Sequence, residues 1–503
     1  MTGGSYTGVS WRQLLTVFSV AFAAHALSLA NGFVWDDILL LATPSSLQQL
    51  ENFPLFFKGG VTAGTSFGQT VPYYRPMFTL SLALEYALWG ADPLGYHLTN
   101  LLLHGMAALL VTLLAMDLSG SRTGALAAGL VFAVHPVHAE AVAYVAARNE
   151  LLCTVFALAA LVLYCRYRKS GAWHHVVFAL LFFFAALLSK EMAITLPFLI
   201  FLSELLIFRS VFGRSLCRTL PFAGVCILYL LLRYSVLSTS SLVSPPLDVR
   251  IATSFTLMGD YLRLLIFPWP LKVLHDQSIR WSFSEPAVIS WAVLLTALIG
   301  LFSCSWRRHP LFALGGLWTV VSLLPASGLP GFIQPALIAE RYLYLPSAGF
   351  SLLVGAAAAH IASLDIYCQR DRLFKAAGGI LLLCFGLLAG YHGLAWHDEE
   401  RLYKRMIADA PQHPLGYYSL GNLYGREQRF GEMASLYQVS LALNMRQQEQ
   451  LVRAYRARGE SDRAEQAYLV WKTAAEWRNT LSGIARPDQE GAGSAKEGLP
   501  EGR

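Results

Sequence analysis

Residues 376–396 of the chain read AAGGILLLCFGLLAGYHGLAW and contain no Asp, Glu, Lys or Arg. An α-helix needs roughly 20 apolar residues to cross the hydrocarbon core of a bilayer, so this stretch predicts a membrane-spanning helix. Six further runs pass the same test, and four weaker ones each carry or touch one charge, which gives about eleven spans in all. The six are 13–35, 97–116, 172–189, 286–305, 310–339 and 342–364, and the four are 123–135, 151–165, 192–207 and 220–232.

Composition extends this conclusion to most of the chain. Of its 503 residues, 55% are hydrophobic and 14% are charged, about half the charged share of an ordinary soluble protein. A soluble multidomain protein could not cover its surface with so few charges, so that class is excluded. The predicted fold class is all-α, a polytopic membrane protein whose first run is an uncleaved signal-anchor. The seven cysteines are too scattered to form a disulfide framework.

The positive charges predict the topology. Short loops near residues 122, 166–169, 209–218, 307–308 and 370–375 are dense in Lys and Arg, which is typical of cytoplasmic loops. The net charge of +6 therefore reports topology and not a nucleic-acid partner. The N-terminus is predicted to be cytoplasmic. An odd number of spans then places the C-terminal segment in a periplasm or organelle lumen.

The chain changes character after Trp396. Tyr417, Leu420, Gly421 and Tyr424 fit the first helix of a tetratricopeptide repeat, and Tyr437 fits the second. The pattern recurs 31 residues later, at Leu451, Tyr455, Ala464 and Tyr468. The alternative is a plain stack of helical hairpins. The predicted domains are 1–396 in the membrane, 397–482 as repeats, and 483–503 as a disordered tail, since the tail has no apolar anchors.

Asp36 and Asp37 follow the first apolar run directly. Two carboxylates on an apolar flank are expected to provide a general base and a metal or substrate ligand. Neighbours in sequence point apart, so the pair would not share one proton. The alternative is a helix N-cap, because Asp before Ile38 would cap a juxtamembrane helix. Asp36 is slightly favoured as the base.

Other charged or polar residues at the ends of the predicted helices are candidates, because charges at membrane depth are costly unless they serve a function. Arg341 is well placed to hold a phosphate through its forked donors; the alternative is a snorkelling anchor. The spacing of His135, His138 and Glu140 fits no standard zinc site, so no cofactor is assigned. The alternative is a divalent cation bound by His138 and Glu140. The full set of binding candidates is Arg341, Arg75, Arg148, Lys190, Glu191, His135, His138, Glu140 and Tyr344. The alternative to a binding role for residues 189–191 is a local ion pair. The alternative for residues 135–150 is an interfacial loop whose polar side chains face water.

Several of these stretches, in this order, resemble the transmembrane and tetratricopeptide-repeat-containing O-mannosyltransferases. They are FVWDD at 33–37, YRP at 74–76, GYHLTN at 95–100, HPVHAEAVA at 135–143, KE at 190–191 and AERYLYLPS at 339–347. The resemblance covers roughly residues 10 to 450. It implies the GT-C architecture, the fold of polytopic glycosyltransferases that use lipid-phosphate-linked sugars.

The resemblance also implies a mechanism. Asp36 or Asp37 would take the proton of an acceptor hydroxyl as its oxygen attacks the sugar, with inversion at the anomeric carbon. Arg341 would stabilise the leaving polyprenyl phosphate, with Arg75, Arg148 and Lys190 as alternates. His135, His138 and Glu140 would line the same cavity. The acceptor would be a protein Ser or Thr or a glycan, recognised through the repeats, at a bacterial inner membrane or an ER membrane.

The chain departs from the family in its short repeat array. Only about two repeats fit after Trp396, whereas the animal members carry long arrays, so a compact bacterial relative with a different sugar or acceptor is expected. The competing hypothesis is a non-enzymatic membrane anchor whose repeats organise partners of envelope or glycan assembly. The Asp36 and Asp37 pair beside an arginine distinguishes the two, because a scaffold does not need it.

Overall fold

A computed structural model describes residues 8–43, 45–61, 73–237, 244–330 and 337–484, with the side chains of all these except 365–369, 371 and 478–484. Its regular structure is helical throughout. The helices of the first half are α1 (Trp11–His25), α2 (Phe53–Phe56), α3 (Pro76–Trp89), α4 (Pro93–Ser119), α5 (Arg122–Val134), α6 (Ala139–Ala143), α7 (Arg148–Ser170), α8 (Trp173–Ser189), α9 (Leu196–Leu206) and α10 (Phe212–Val236). Those of the second half are α11 (Leu247–Ile266), α12 (Pro286–Ser305), α13 (Pro310–Leu323), α14 (Tyr344–Ala362), α15 (Asp365–Gly393), α16 (Glu399–Asp409), α17 (Pro414–Arg426), α18 (Phe430–Ala457) and α19 (Ser461–Ile484).

In the described part of the chain, seven helical segments are long and apolar enough to cross a membrane, and a bent pair, Arg122–Val134 with Pro136–Ala143, makes up to eight. Two shorter apolar helices, Trp173–Ser189 and Pro310–Ala326, add to them. The seven are Trp11–Ala30, Pro93–Ser119, Val145–Ser170, Phe212–Val236, Pro286–Ser305, Glu340–Ala362 and Arg372–Trp396. The predicted all-α, multi-pass membrane architecture is therefore confirmed.

The structure corrects the ends of two predicted spans. The first helical segment stops at Ala30 and not at residue 35, because the backbone of Asn31 is extended. The run 310–339 is helical only to Ala326, since Pro325 and the prolines beyond it cannot continue a regular helix. Residues 331–336 of that run lie outside the described residues.

Two helices of more than ten residues before residue 397, α3 and α11, occupy stretches outside the predicted spans. Helix α11 carries Asp248, Arg250, Asp260 and Arg263, so its hydropathy is too low for a predicted span, yet twelve of its residues are buried. Helix α3 is only 14 residues long and carries Glu85. Both contribute side chains or carbonyls to the polar contacts described below.

The core of the membrane unit is built around α7, which is 89% buried over its apolar window. Helix α14 packs tightly against α5, because a Cβ atom at Gly355 would lie 2.5 Å from the carbonyl oxygen of Gly124. Small residues of this kind let membrane helices approach backbone to backbone. The candidate site lies at the opposite ends of these two helices, after α5 and before α14.

The chain forms two compact units, Met1–Arg405 and Met406–Arg503. In the second unit, α18 runs unbroken for 28 residues and joins the second helix of the first predicted repeat to the first helix of the next. No Gly or Pro interrupts the sequence between Gly431 and Gly459, so nothing forces a turn there. A Cβ atom at Gly421 would lie 2.7 Å from the ring of Tyr437, which shows that these two residues pack together. The repeat assignment stays a prediction, and the predicted tail from residue 485 onward lies outside the described residues.

Candidate functional site

Asp37 anchors the loop that follows the first span. Its carboxylate accepts a hydrogen bond from Val34 N at 3.2 Å and another from Ala146 N at 2.7 Å, and the side chain has no exposed surface. Burial raises the pKa of Asp37 to about 8, although the backbone hydrogen bonds lower it. Asp37 therefore holds the loop against the turn that precedes α7, and its carboxyl group is out of reach of a substrate.

Asp36 has the opposite environment. Its side chain is exposed. The surrounding protein raises the pKa of its carboxyl by desolvation, while the neighbouring Tyr144 hydroxyl and the charge of Arg341 lower it. An accessible carboxylate close to other protein groups is the arrangement expected of a general base.

Tyr144 connects the acidic loop to the end of the last span. Its ring stacks on Trp35, with centroids 5.9 Å apart and planes 16° apart, and on Trp396, with centroids 4.9 Å apart and planes 23° apart. Two backbone contacts reinforce this link, since Asn31 Nδ2 donates to Gly393 O and Gly32 N donates to the carbonyl of the residue after Trp396.

Arg341 is held in place by Glu140. One carboxylate oxygen of Glu140 accepts from the Arg341 backbone N at 2.9 Å, and the other pairs with Nη1 of its guanidinium. A guanidinium has five N–H donors, and among the described residues only this one is engaged by a hydrogen-bond partner. The Arg341 side chain is 18% exposed. It therefore has both donors and access left for a ligand.

Two further ion pairs lie beside Arg341. Lys190 pairs with Glu150 and lies over the ring of Tyr342, 4.4 Å from its centroid, while the Arg341 guanidinium lies 5.1 Å from the same centroid. Glu150 is also within electrostatic range of Arg341. Burial lowers the pKa of Lys190, against the attraction of Glu150. Lys190 and Arg341 thus both lie against the ring of Tyr342 and belong to one cluster.

Arg75 and Glu191 form the third pair. Arg75 binds both carboxylate oxygens of Glu191, at 2.6 and 3.1 Å, and its guanidinium lies 4.2 Å from the ring of Tyr73. Burial alone would raise the pKa of Glu191, but the charge and hydrogen bonds of Arg75 lower it to about 2. The alternative of a local Lys190–Glu191 pair is therefore wrong, because each residue binds a distant partner.

Arg148 lies apart from this accessible cluster. It has no exposed surface, and its guanidinium binds Glu85, Asn100 Oδ1 and Tyr96 O. An arginine with no exposed surface, whose three guanidinium nitrogens each bind a protein oxygen, is out of reach of a phosphate. Its predicted role as an alternate phosphate ligand is corrected to one of fastening α7 to α3 and α4.

The histidines and Tyr344 also lie in the core. His135 Nε2 is 2.9 Å from Leu265 O, His138 Nε2 is 2.8 Å from Ser347 Oγ, and Tyr344 shares a hydrogen bond of 2.8 Å with a buried histidine of α4. None of the three has exposed surface, so the structure places them behind the site and not on a cavity wall. Within the described residues, no three His, Cys, Asp or Glu side chains are placed to hold a metal ion.

Sequence reasoning missed Glu85 and Tyr144. Glu85 is the one acidic residue in an otherwise uncharged apolar stretch, 76–89, which is a signal for a buried polar role. Tyr144 had no such signal, because only the fold brings it between Trp35 and Trp396.

Comparisons with known proteins support the resemblance drawn from the motifs. The chain is 29% identical to the protein O-mannosyl-transferase Tmtc1 of Drosophila melanogaster, over 82% of this chain and 59% of that protein. It is 28% identical to the human protein O-mannosyl-transferase TMTC4, over 82% of this chain and 63% of that protein. The chain is similar to these transferases over most of its length. The predicted resemblance is confirmed, and no family model matches.

The similarity is limited in extent. The chain spans about three fifths of the length of the curated relatives that it matches. Among solved structures it is similar to ArnT from Cupriavidus metallidurans bound to undecaprenyl phosphate, with a TM-score of 0.43 and 14% identity over 95% of this chain and 78% of that one. At this score the likeness is distant.

Proposed function

We propose that this chain is an integral-membrane glycosyltransferase of GT-C type, which moves a sugar from a polyprenyl-phosphate donor to a hydroxyl acceptor with inversion. The observation that carries the proposal is the exposed Asp36 carboxylate within electrostatic range of Arg341, an arginine with donors to spare. The similarity to named O-mannosyltransferases supports the reaction class and makes mannose the first sugar to test.

Arg341 is the residue proposed to receive the donor's phosphate. Guanidinium and phosphate form short, charge-assisted, forked hydrogen bonds, and Glu140 fixes both the backbone and the side chain of Arg341 for that contact. The side chains of Lys190 and Arg75 are 3% and 9% exposed. They would act through their charge more than by direct contact.

Asp36 is the residue proposed as the general base. The acceptor oxygen attacks the anomeric carbon, its proton passes to the Asp36 carboxylate, and the bond between that carbon and the phosphate oxygen breaks with its electron pair on the phosphate. The charge that develops on the leaving phosphate is stabilised by Arg341, a donor already positioned before reaction. Asp37 takes no part in proton transfer and positions the loop.

The remaining parts of the proposal concern location and partners. The site would face the periplasm or an organelle lumen, with the N-terminus in the cytoplasm. The polyprenyl tail would lie against the lipid-facing helices. The helical repeats from residue 397 onward would bind the acceptor, a protein Ser or Thr or a glycan.

The test is transfer by purified full-length chain from a panel of radiolabelled polyprenyl-phosphate sugars, with Asp36→Asn and Asp117→Asn beside wild type. Asp117 is the matched control, since it is a carboxylate at the far end of α4, paired with Lys169. We expect transfer or slow hydrolysis of one sugar, a loss of about 10²–10⁴-fold in Asp36→Asn, and no change in Asp117→Asn. A folded wild-type chain that neither binds nor turns over any member of the panel would favour the non-enzymatic scaffold.

A further inference from the structure

Trp35 has an unusual backbone conformation. Its φ angle is +53°, in the left-handed region that a bulky residue rarely adopts. Strain of this kind persists only where the surrounding structure imposes it, and it is concentrated at functional sites. Here the hydrogen bonds of Asp37 to Val34 N and Ala146 N fix both sides of the turn. The turn sets the Trp35 ring and the Asp36 carboxylate beside the same tyrosine.

The Trp35 ring is supported from one side. Tyr144 is its ring partner, nearly parallel to it, and Tyr144 is backed in turn by the fully buried Trp396. Among the described residues no other ring stacks on Trp35, and its side chain is partly exposed. Three stacked rings that end in a partly exposed indole form a rigid platform.

The chemistry of such a platform matches a sugar ring. The face of an aromatic ring carries partial negative charge, and the C–H groups on one face of a pyranose are weakly positive. Asp36 is adjacent to Trp35 in sequence and lies beside Tyr144. A sugar stacked on the indole would therefore be close to the base, which is where the acceptor hydroxyl must be deprotonated.

We infer that Trp35 is the platform on which the donor's sugar ring stacks, so that it distinguishes a sugar-bearing lipid phosphate from a sugar-free one. This inference rests on the proposed function. It adds a binding contact to the sugar itself, separate from the phosphate contact of Arg341.

The experiment compares the binding of polyprenyl-phosphate mannose, polyprenyl-phosphate glucose and sugar-free polyprenyl phosphate of equal chain length to the purified full-length chain. We expect wild type to prefer one of the sugar-bearing lipids. In Trp35→Ala the ratio of the affinities for the sugar-bearing and the sugar-free lipid should fall about tenfold. Its affinity for the sugar-free lipid should equal that of wild type. Trp35→Phe, which keeps a ring, should retain part of the preference.

Trp173→Ala is the matched control, since Trp173 is 73% exposed at the start of α8, roughly 25 Å along that helix from the Lys190 end. The inference would be overturned if Trp35→Ala kept the full preference for the sugar-bearing lipid. It would also be overturned if wild type bound all three lipids equally. Either result would leave the transferase proposal standing. Wild type that binds none of the lipids would overturn both. Unchanged binding of the sugar-free lipid shows that each variant is folded.

Discussion

The two ends of the helices in the membrane unit both carry clustered charges, but they use them differently. At one end, Glu204 has no exposed surface, and its two oxygens bind Arg168, Arg218 and the Tyr164 hydroxyl. At the other end, Asp36 is exposed, and Arg341 keeps donors that nothing in the described chain engages.

The two ends differ in how many hydrogen-bonding groups the protein itself engages. We call the Glu204 end saturated, because the protein binds both carboxylate oxygens, and the Asp36 and Arg341 end open, because Arg341 keeps unused donors. A buried carboxylate with both oxygens bound by cations has a structural role, because its removal would leave charges without partners. An exposed carboxylate beside a cation with spare donors can bind and release a substrate. Charge at a membrane edge is therefore not sufficient evidence for a site, and the number of unused donors and acceptors is more informative.

The largest expected effect on stability is at the saturated end. Glu204→Gln removes the charge that holds Arg168 and Arg218, and we expect the free energy of unfolding to fall by about 3 kcal/mol. Transfer per folded molecule should be unchanged. Thermal unfolding in detergent, together with activity normalised to folded protein, measures both.

Asp117→Asn is the comparison for that variant. Asp117 pairs with Lys169 and Arg166, which are both more than 40% exposed, so its loss should change stability by less than about 1 kcal/mol. An equal loss of stability in the two variants would contradict the distinction between saturated and open charges.

The next effect is on catalysis at the open end. Arg341→Gln should lower kcat/KM by about 10²–10³-fold, since it removes a preorganised donor to the leaving group. Arg341→Lys should recover part of the loss, because it keeps the charge without the fork and still pairs with Glu140. Arg122→Gln, an exposed arginine that contacts Gln13, is the control and should be neutral. Loss of transfer in Arg122→Gln, or none in Arg341→Gln, would argue against the assigned phosphate contact.

The smallest effect concerns the pH dependence of stability at Asp37. Its pKa is about 8 in the folded chain, above the ordinary value of 3.8. The folded state therefore holds a proton that the unfolded state releases, and the stabilisation is present below about pH 4 and lost as pH rises to about 8. Asn resembles the neutral acid, so Asp37→Asn should cost no more than about 1–2 kcal/mol at pH 4, where wild type keeps its proton in both states.

At pH 9 the relation should reverse, because wild type then carries a buried charge that the variant lacks. Unfolding temperatures of the two proteins at pH 4 and pH 9 give the comparison. A constant difference between them across this range would mean that Asp37 is ionised throughout.

Much of the membrane architecture could be predicted from the sequence because uncharged apolar runs of about 20 residues are rare outside membrane-spanning helices. Helix α11 escaped this rule, since it carries four charges whose partners only the fold supplies; Asp260, for example, accepts from Gln277. The continuous α18 escaped for a different reason. A repeat pattern gives spacing, whereas a turn between repeats needs residues that break a helix, and these are absent between Gly431 and Gly459.

Several residues of the candidate site could be predicted from the sequence, but the ion pairs that they form could not. Arg341, Lys190 and Arg75 are predictable candidates as charges at the ends of predicted helices, and the structure brings them to one cluster. Their carboxylate partners could not be foreseen, because Glu140 lies 201 residues from Arg341 and Glu191 lies 116 residues from Arg75. Arg148 was predicted as a phosphate ligand for this reason. Only its contacts with Glu85 and Asn100 show that its role is structural.

The central claim is that the exposed Asp36, and not the buried Asp37, is the base. The most direct measurement is transfer by Asp36→Asn and Asp37→Asn side by side, with the donor that wild type turns over and with each rate normalised to folded protein. We predict a loss of about 10²–10⁴-fold in Asp36→Asn and a loss of less than about tenfold in Asp37→Asn. A folded Asp37→Asn without activity beside an active Asp36→Asn would contradict the account.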